Sequence, residues 1–420
     1  MKNKVAVFAC IIAGLFMGGI TDVNAENIPV QKKNILIKDN SAKNVSSGKS
    51  ARNNSEVKGP IVEIGLISGS GQVEITGLDN FQIETNGKRW KTYSAGKGLL
   101  VKRNGKSITV DGKSFDMPVY FSTGNDRAAF AVKGNRYRGK IKVIPSAWNN
   151  GITVVNQIPV DLYLQGVVPS EIIPSWKMDA IKAQAVAART YAIYHKNGYR
   201  SAGYDMTDDT RSQVYRGCSA ETVATNKAVQ ETAGEILTYG GKAIDALFHA
   251  NGGGYTENSE NVWGSYVPYL RGVKEENSSV VNGQWNKKIS LTAFANAISN
   301  AGYNVGKIKG ITLSHLRMGK AASSDRGISG RVKFMVVNGK YGKKKIPGET
   351  IQGAIGLEST LFDVSVKGKD LIFTGYGSGH GLGLSQWGAE AMAEKNGDGK
   401  EYYKKILAHY FSNTKIDKIY

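Results

Sequence analysis

Glu171 is a carboxyl in apolar company, within the segment GVVPSEIIPSW of residues 166–176. Burial among apolar side chains raises the pKa of a carboxyl, and a general acid that works near neutrality needs such a pKa. The helix that the sequence predicts from Lys177 acts in the opposite direction, because a helix N-terminus favours the ionised carboxylate. The residue types therefore leave two interpretations of Glu171 open: a general acid, or a residue that caps this helix.

Arg189 lies in the same predicted helix, where a buried guanidinium has to find a partner. A rise of 1.5 Å per residue places Arg189 roughly 20 Å along the helix from Ser175, the predicted N-cap. Arg189 therefore need not contact Glu171, and a cation near a helix C-terminus is stabilising by itself.

The segment YDMTDDTRSQVYRG offers amide, phenol and carboxyl groups. Gln213 and Tyr215 suit sugar recognition, because an amide and a phenol can bind hydroxyl groups. Asp208 and Asp209 are interpreted as residues of a solvated loop. In an alternative interpretation, one of these two is the general base of a glycoside hydrolase, beside the carboxyl described first.

Histidine and glycine mark two further segments. His249 opens the stretch HANGGGYTENSENVWG, and a glycine stands at every second position of Gly375–Gly383, which holds His380 and precedes Gln386. Such a loop presents backbone N–H groups to an anion at a helix N-terminus. No His, Cys or carboxylate spacing supports a metal site, so no metal-ligating residue is predicted.

The elements that must position these residues follow from the hydrophobic patterns. Residues 60–160 form short alternating segments punctuated by Gly and Asn, which is typical of strands, and residues 151–168 continue this pattern. The stretch 177–195 predicts a helix that is apolar on nearly every face and therefore buried. Gly240-Gly241 predicts a hairpin turn. Four more helices are predicted: Ala220–Ala233, Leu291–Ala301, Gln386–Lys395 and Tyr402–Phe411. The predicted fold class is α+β, with a buried helical centre flanked by β-rich subdomains.

The charge and the first residues limit the partners. The 420 residues carry 55 Lys and Arg against 35 Asp and Glu, a net charge of +20, which requires an anionic partner. Residues 1–25 combine two lysines, an apolar run of 16 residues and a small-residue cleavage site, as in a secretory signal. An exported protein meets little nucleic acid, so an anionic envelope polymer is predicted. Membrane attachment is expected only if the signal stays uncleaved. Two cysteines, Cys10 and Cys218, exclude a disulfide-dense scaffold.

Four motifs in order carry a family resemblance: VVPSEIIPSW with AIKAQAVAARTYA, then SQVYRG, then FHANGGGYT with VWG and VPYLRGV, then GYGSGHGLGLSQWGAEAMA. Over roughly residues 152–420 the chain closely resembles the stage II sporulation protein D / LytB (SpoIID/LytB) family. The resemblance implies a SpoIID-like fold and a peptidoglycan lytic transglycosylase that prefers glycan strands stripped of their stem peptides. It makes Glu171 the catalytic glutamate of the "PSE" motif. The predicted substrate-binding residues are Arg189, which matches the family's helix arginine, and Gln213, Tyr215, His249, Trp263, His380 and Gln386.

Cofactor and partner expectations also come from the resemblance. Some members bind zinc through His and Cys near the "D-x-T…Q-V-Y" stretch, but this chain has no His there and only Cys218 nearby, so no cofactor is predicted. The predicted partners are peptidoglycan glycan strands and a cell-wall amidase. The alternatives are a non-catalytic wall-binding amidase enhancer of the LytB kind and a glycan hydrolase.

The predicted organisation has four parts: a signal peptide (1–25), a flexible spacer (26–59), a β-rich N-terminal layer (60–150) and the catalytic region (151–420). The protein is expected to be exported, and either secreted or associated with the cell wall.

Overall fold

The computed structural model describes residues 59–276, 283–320, 322–396 and 401–420. The predicted signal peptide, and the predicted spacer up to residue 58, lie outside the described residues. The structure is α+β, as the sequence predicted. No helix within the described ranges is long and apolar enough to cross a membrane.

Thirteen strands build the N-terminal part: β1 (Ile61–Ser70), β2 (Gln72–Gly77), β3 (Phe81–Thr85), β4 (Lys88–Tyr93), β5 (Gly98–Asn104), β6 (Ser107–Val110), β7 (Lys113–Asp116), β8 (Val119–Ser122), β9 (Ala129–Val132), β10 (Asn135–Arg138), β11 (Lys140–Pro145), β12 (Ile152–Pro159) and β13 (Met206–Thr207). They form a seven-stranded sheet in the order β13-β1-β12-β11-β8-β3-β4 and a six-stranded sheet in the order β10-β9-β2-β5-β6-β7. The predicted boundary at residue 150 lies just before β12, which pairs with both β1 and β11. This division stays a prediction.

The helices are α1 (Val160–Glu171), α2 (Met178–Tyr194), α3 (Val223–Glu231), α4 (Ser259–Val262), α5 (Leu291–Asn300), α6 (Gly348–Ile355), α7 (Gln386–Asn396) and α8 (Tyr403–Tyr410). All five helices that the sequence predicted are present, with shifts of up to three residues at their ends. Thirteen of the 17 residues of α2 are buried, as its apolar faces require. The wider prediction of a helical centre between β-rich subdomains stays a prediction.

Helix α1 occupies residues for which the sequence predicted a strand up to residue 168, so that prediction is wrong from residue 160 onwards. Ten of its 12 residues are buried. When a segment is buried on all sides, its apolar residues show neither the spacing of a helix nor that of a strand. The hydrophobic pattern therefore could not predict a helix here. The predicted N-cap Ser175 is also wrong. Helix α2 begins after Lys177, whose N–H donates to the Glu390 carboxylate of α7 at 2.9 Å.

The remaining strands are β14 (Glu235–Tyr239), β15 (Lys242–Ala243), β16 (Phe248–His249), β17 (Gln284–Ser290), β18 (Ile308–Thr312), β19 (Phe334–Gly339), β20 (Gly342–Pro347), β21 (Phe362–Lys367), β22 (Asp370–Tyr376), β23 (Leu384–Ser385) and β24 (Lys415–Lys418). β14 and β15 form the hairpin predicted around Gly240-Gly241.

Two large hydrophobic clusters organise the described residues. The first joins the N-terminal sheets with α1, α2, α3, α7 and α8. The second is formed by residues of α5, α6 and strands β19 to β22. Val167, Val168 and Ile172, which flank Glu171 in the chain, belong to the first cluster, so the first cluster is what positions Glu171.

Candidate active site

Helix α1 carries Glu171 as its last residue, and a glycine lets this helix approach its neighbour. A Cβ at Gly166 would lie 2.7 Å from the Tyr215 ring and 2.8 Å from the carbonyl oxygen of Gly217. Only glycine at this position therefore allows α1 to pack directly on residues 212–217. That contact brings Glu171, which is 2% exposed, against the backbone of the segment.

The two carboxyl oxygens of Glu171 have different surroundings. Oε1 accepts a hydrogen bond from the Val214 N–H at 2.8 Å. Oε2 is buried and finds no hydrogen-bond partner among the described residues. Burial raises the pKa of Glu171 to about 7, although the Val214 N–H opposes the shift. Glu171 caps no helix, so the capping interpretation is wrong. The group is an acid poised to hold or release its proton near neutrality.

Gln213 and Tyr215 flank Val214, whose N–H binds Glu171. Their polar side-chain atoms form hydrogen bonds with other groups of the protein. The Tyr163 hydroxyl donates to Oε1 of Gln213 at 3.2 Å, and Nε2 of Gln213 donates to the Ala188 carbonyl at 3.3 Å. The Tyr215 hydroxyl donates to Oδ1 of Asn156 at 2.8 Å. Both predicted sugar-binding side chains are buried. They hold the segment that hydrogen-bonds Glu171, and this is a correction to their predicted role.

Asp208, one of the two aspartates considered as the base of a hydrolase, is a second carboxyl with a raised pKa. The raised pKa was not predicted from the sequence. Burial raises its pKa to about 6, with a further contribution from the charge of Asp209. Its carbonyl oxygen accepts the N–H of Tyr215 at 3.0 Å, which ties it to the same segment. The solvated-loop interpretation is wrong for Asp208. It suits Asp209, which is 46% exposed and pairs with Arg211 at 2.8 Å. No local signal separates two adjacent aspartates.

We use the name Glu171 site for Glu171, Tyr163, Asp208 and residues 212–215. Arg189 is not part of it. Its fully buried guanidinium donates to Oδ1 of Asp161 at 2.8 Å and to the carbonyl oxygens of Val229 and Glu235. This set of partners joins α1, α2 and α3. The contacts of Arg189 therefore stabilise the fold, and its guanidinium is not placed to contact a substrate.

His249, Trp263 and His380 are brought together elsewhere. The His380 ring lies 5.3 Å from that of His249 and 6.1 Å from that of Trp263. Burial holds the pKa of His249 well below its usual range and lowers that of His380 to about 4, so both rings are neutral near pH 7. Nδ1 of His249 donates to the Leu382 carbonyl. Nε2 of His249 has no partner among the described residues, and neither does Nε1 of Trp263.

The glycine-rich loop faces the protein interior. The buried Arg331 guanidinium donates to the carbonyl oxygens of Gly379 and Gly252, at 3.1 and 3.2 Å. The Gly379 N–H donates in turn to the Glu358 carbonyl. At the start of α7, the Ser385 hydroxyl accepts the N–H of Gly388. The Gly379 N–H is therefore used inside the protein, and the binding of an anion by the other N–H groups of this loop stays a prediction.

Glu257 is a second buried glutamate, held beside this loop. Its carboxylate accepts from the N–H groups of Asn258, Ile328 and Ser329 and from the Asn261 amide and the Ser329 hydroxyl, at 2.6 to 3.0 Å. We use the name loop cluster for His249, Glu257, Arg331 and Gly375–Gly383. It contains two of the predicted substrate-binding residues, His249 and His380.

Gln386 connects α7 to α2, because its buried amide donates to Oε1 of Gln184 at 3.5 Å. Its neighbour Trp387 packs against Trp176, with ring centroids 4.5 Å apart. Trp176 follows Glu171 by five residues, so this half-buried aromatic pair joins the loop after Glu171 to the first turn of α7. The pairing of two tryptophans from distant motifs was not predicted.

Within the described ranges, no group of three or more His, Cys, Asp or Glu side chains could hold a metal ion. Cys218 is a free, half-buried thiol that donates to the Arg136 carbonyl at 3.2 Å.

Comparison with known proteins places this site in a family. The SpoIID family model, described as stage II sporulation protein, matches residues 148–239, which include Glu171 and the segment that hydrogen-bonds it. Stage II sporulation protein D of Bacillus subtilis (strain 168) is 32% identical over 291 residues, which cover 63% of this chain and 76% of that protein. An uncharacterised protein of Brachyspira hyodysenteriae is 34% identical over 293 residues, or 68% of this chain and 74% of that protein.

The amidase enhancer of Bacillus subtilis (strain 168) is also similar, with 30% identity over 393 residues. The match covers 83% of this chain but only 52% of the amidase enhancer, so this chain spans about half the length of that relative.

Proposed function

The chain belongs to the SpoIID/LytB family, and from this premise we propose that it is a peptidoglycan lytic transglycosylase that cleaves the MurNAc–GlcNAc bond. The observation that carries the proposal is Glu171, a buried carboxyl with a pKa of about 7 and an Oε2 atom that has no partner among the described residues. At neutral pH a large fraction of this group is protonated and ready to donate.

The reaction needs one carboxyl and no water. Glu171 donates its proton to the glycosidic oxygen, and the bond between this oxygen and C1 of MurNAc breaks. The C6 hydroxyl oxygen of the same MurNAc then bonds to C1 and closes a 1,6-anhydro ring. The proton of that hydroxyl returns to Glu171, which regenerates the acid. The 2% exposure of Glu171 means that side chains above Oε2 move when the glycan binds.

A hydrolase is the second candidate, because Asp208 offers a second carboxyl with a raised pKa. In an inverting hydrolase, a carboxylate activates a water that attacks C1. Oε1 of Glu171 accepts from the Val214 N–H and the main-chain carbonyl oxygen of Asp208 accepts from the Tyr215 N–H, so both residues contact the same short segment. The products separate the two reactions, since only the hydrolase adds water.

The family relationship also supports partners and a location for this proposal. The similarity to the amidase enhancer supports a cell-wall amidase as a partner, with a non-catalytic wall-binding role as the alternative. The signal-like residues 1–25 support export, followed by secretion or association with the wall. Glycan strands stripped of stem peptides expose lactyl carboxylates, which suit a chain of net charge +20. No cofactor enters this reaction.

The test incubates the purified protein with peptide-free glycan strands and determines the products by mass spectrometry. We expect 1,6-anhydro-MurNAc ends. New reducing ends, heavier by one water, would establish the hydrolase instead. Intact strands after prolonged incubation, with binding retained, would establish the wall-binding role and refute the transglycosylase.

A further inference from the structure

A cleft of about 660 Å³, lined by both polar and apolar groups, lies in the N-terminal layer, in the size range of small-molecule sites. Its floor is the outward face of β2 and β9. Along β2 the side chains alternate, so that Gln72, Glu74 and Thr76 face the cleft while Val73 and Ile75 face the core. Thr76 pairs with Ala131 on β9, a residue too small to fill the space above it.

The cleft begins next to the Glu171 site. One wall is the end of β1, from Ile67 to Ser70. β13 pairs with β1 in parallel, with Thr207 opposite Gly65, so Asp208 stands at the level where this wall begins. Lys133, on the opposite side of the cleft, is close enough for its charge to act on the Asp208 carboxyl.

A chain of contacts therefore runs from the acid to the cleft. Glu171 accepts from the Val214 N–H, and the next residue, Tyr215, donates its N–H to the carbonyl oxygen of Asp208. The Asp208 backbone therefore links the segment that contacts Glu171 to the β1 wall of the cleft.

The far end of the cleft carries an exposed indole. Trp148 is 68% exposed in the turn between β11 and β12. The next residue, Asn149, fixes this turn, because its amide donates to the carbonyl oxygen of Gly69 on the cleft wall at 3.0 Å. From Gly65 to Gly69 the strand advances by roughly 13 Å. Asp208 and Trp148 thus stand at the two ends of the β1 segment that forms this wall.

The lining decides which kind of ligand fits. The Gln72 amide and the Thr76 hydroxyl suit a ligand rich in hydroxyl and amide groups, whereas the Ser68 and Ser70 hydroxyls already hydrogen-bond Thr153 and the Gln72 carbonyl. Lys133 and Glu74 cancel in charge, which disfavours a polyphosphate with a negative charge on every unit. An aromatic face at the end favours a flat ring with C–H groups on one side. Amino sugars combine all three properties.

We propose that this cleft binds sugar units of the glycan strand beyond the bond at Glu171, with Lys133 pairing with a lactyl carboxylate and Trp148 stacking on a pyranose ring. The inference rests on the proposed function for the identity of the polymer. It adds a binding site in the N-terminal layer and predicts that long strands bind better than short ones.

The test measures binding by isothermal titration calorimetry on full-length protein with Glu171→Gln, so that no cleavage disturbs the titration. The probes are peptide-free oligosaccharides of one and of four GlcNAc-MurNAc units. Trp148→Ala and Lys133→Gln are added singly. The matched controls are Tyr341→Ala and Lys340→Gln, an exposed aromatic residue and an exposed lysine at the turn of the distant β19–β20 hairpin.

We expect each cleft variant to weaken binding of the long probe about tenfold, the short probe to bind equally to all proteins, and both controls to match the parent. Binding of the long probe within twofold of the parent in both cleft variants would overturn the proposal. Circular dichroism checks that the variants fold. Substitution at Trp148 or Lys133 should leave the fold unchanged, because both side chains are exposed.

Cleavage by the proteins that retain Glu171 separates this inference from the proposed function. If the Trp148→Ala and Lys133→Gln variants cleave long peptide-free strands as fast as the wild-type protein, the transglycosylase stands and the cleft site falls. If the long probe binds as expected but the wild-type protein cleaves nothing, the cleft site stands and the transglycosylase falls.

Discussion

Glu171 and Glu257 are two glutamates that are almost equally buried, at 2% and 1% exposure, in two different regions. Glu257, in the loop cluster, accepts five hydrogen bonds from groups of two segments, residues 258–261 and 328–329. Glu171 accepts one. Hydrogen bonds stabilise a carboxylate, whereas burial without them stabilises the neutral acid. Since the two side chains are almost equally buried, the number of donors, and not burial, distinguishes Glu257 from Glu171.

The largest expected effect is the loss of cleavage in Glu171→Gln. The amide keeps the acceptor for the Val214 N–H but has no acidic proton, so the rate of glycan cleavage should fall about 10³-fold. Mass-spectrometric quantitation of anhydro ends over time measures it. Glu231→Gln, at the end of α3, is the control and should cleave normally. Cleavage at more than a tenth of the wild-type rate would show that Glu171 is not the acid.

Glu257→Gln tests the other side of the comparison. Its amide nitrogen replaces an acceptor that faces several donors, so the free energy of unfolding should fall by about 3 kcal/mol. Urea denaturation measures the loss. Glu260→Gln, which breaks only a partly exposed pair with Arg271, should cost less than about 1 kcal/mol. Equal losses in the two variants would remove the distinction between Glu257 and an ordinary surface carboxylate.

The pH dependence of stability sharpens the description of Glu171. Its pKa rises from 4.5 to about 7 on folding, so the folded state holds the proton more tightly. The resulting stabilisation is fully present below pH 4.5 and is lost as the pH rises to about 7. From pH 4 to pH 8, the unfolding free energy of wild type should therefore fall by about 3 kcal/mol relative to Glu171→Gln. Parallel pH profiles of the two proteins would contradict the raised pKa.

Asp208→Asn should have the smallest effect. In the transglycosylase, Asp208 donates no proton to the substrate, and its carbonyl oxygen keeps the hydrogen bond from Tyr215. We expect the cleavage rate to change by less than about tenfold, a difference of about 1.4 kcal/mol in activation free energy. A loss as large as that of Glu171→Gln would favour the hydrolase, in which Asp208 is the base.

Local signals predicted much of this molecule. The apolar faces of 177–195 predicted α2, and Gly240-Gly241 predicted the turn between β14 and β15. Four motifs in order identified the family. The strand predicted over 160–168 failed because a segment that is buried on every side loses the period on which such predictions depend.

The sequence by itself determined the family and the position of the glutamate in its "PSE" motif, since both depend on contiguous residues. Only the tertiary structure decided the protonation behaviour of Glu171, because the N–H that opposes its raised pKa comes from Val214, 43 residues away. The same holds for Arg189, whose carboxylate partner Asp161 lies 28 residues before it, and for Asp208, which burial separates from its neighbour Asp209. Desolvation and hydrogen bonding depend on which distant groups surround a side chain, and folding alone assembles them.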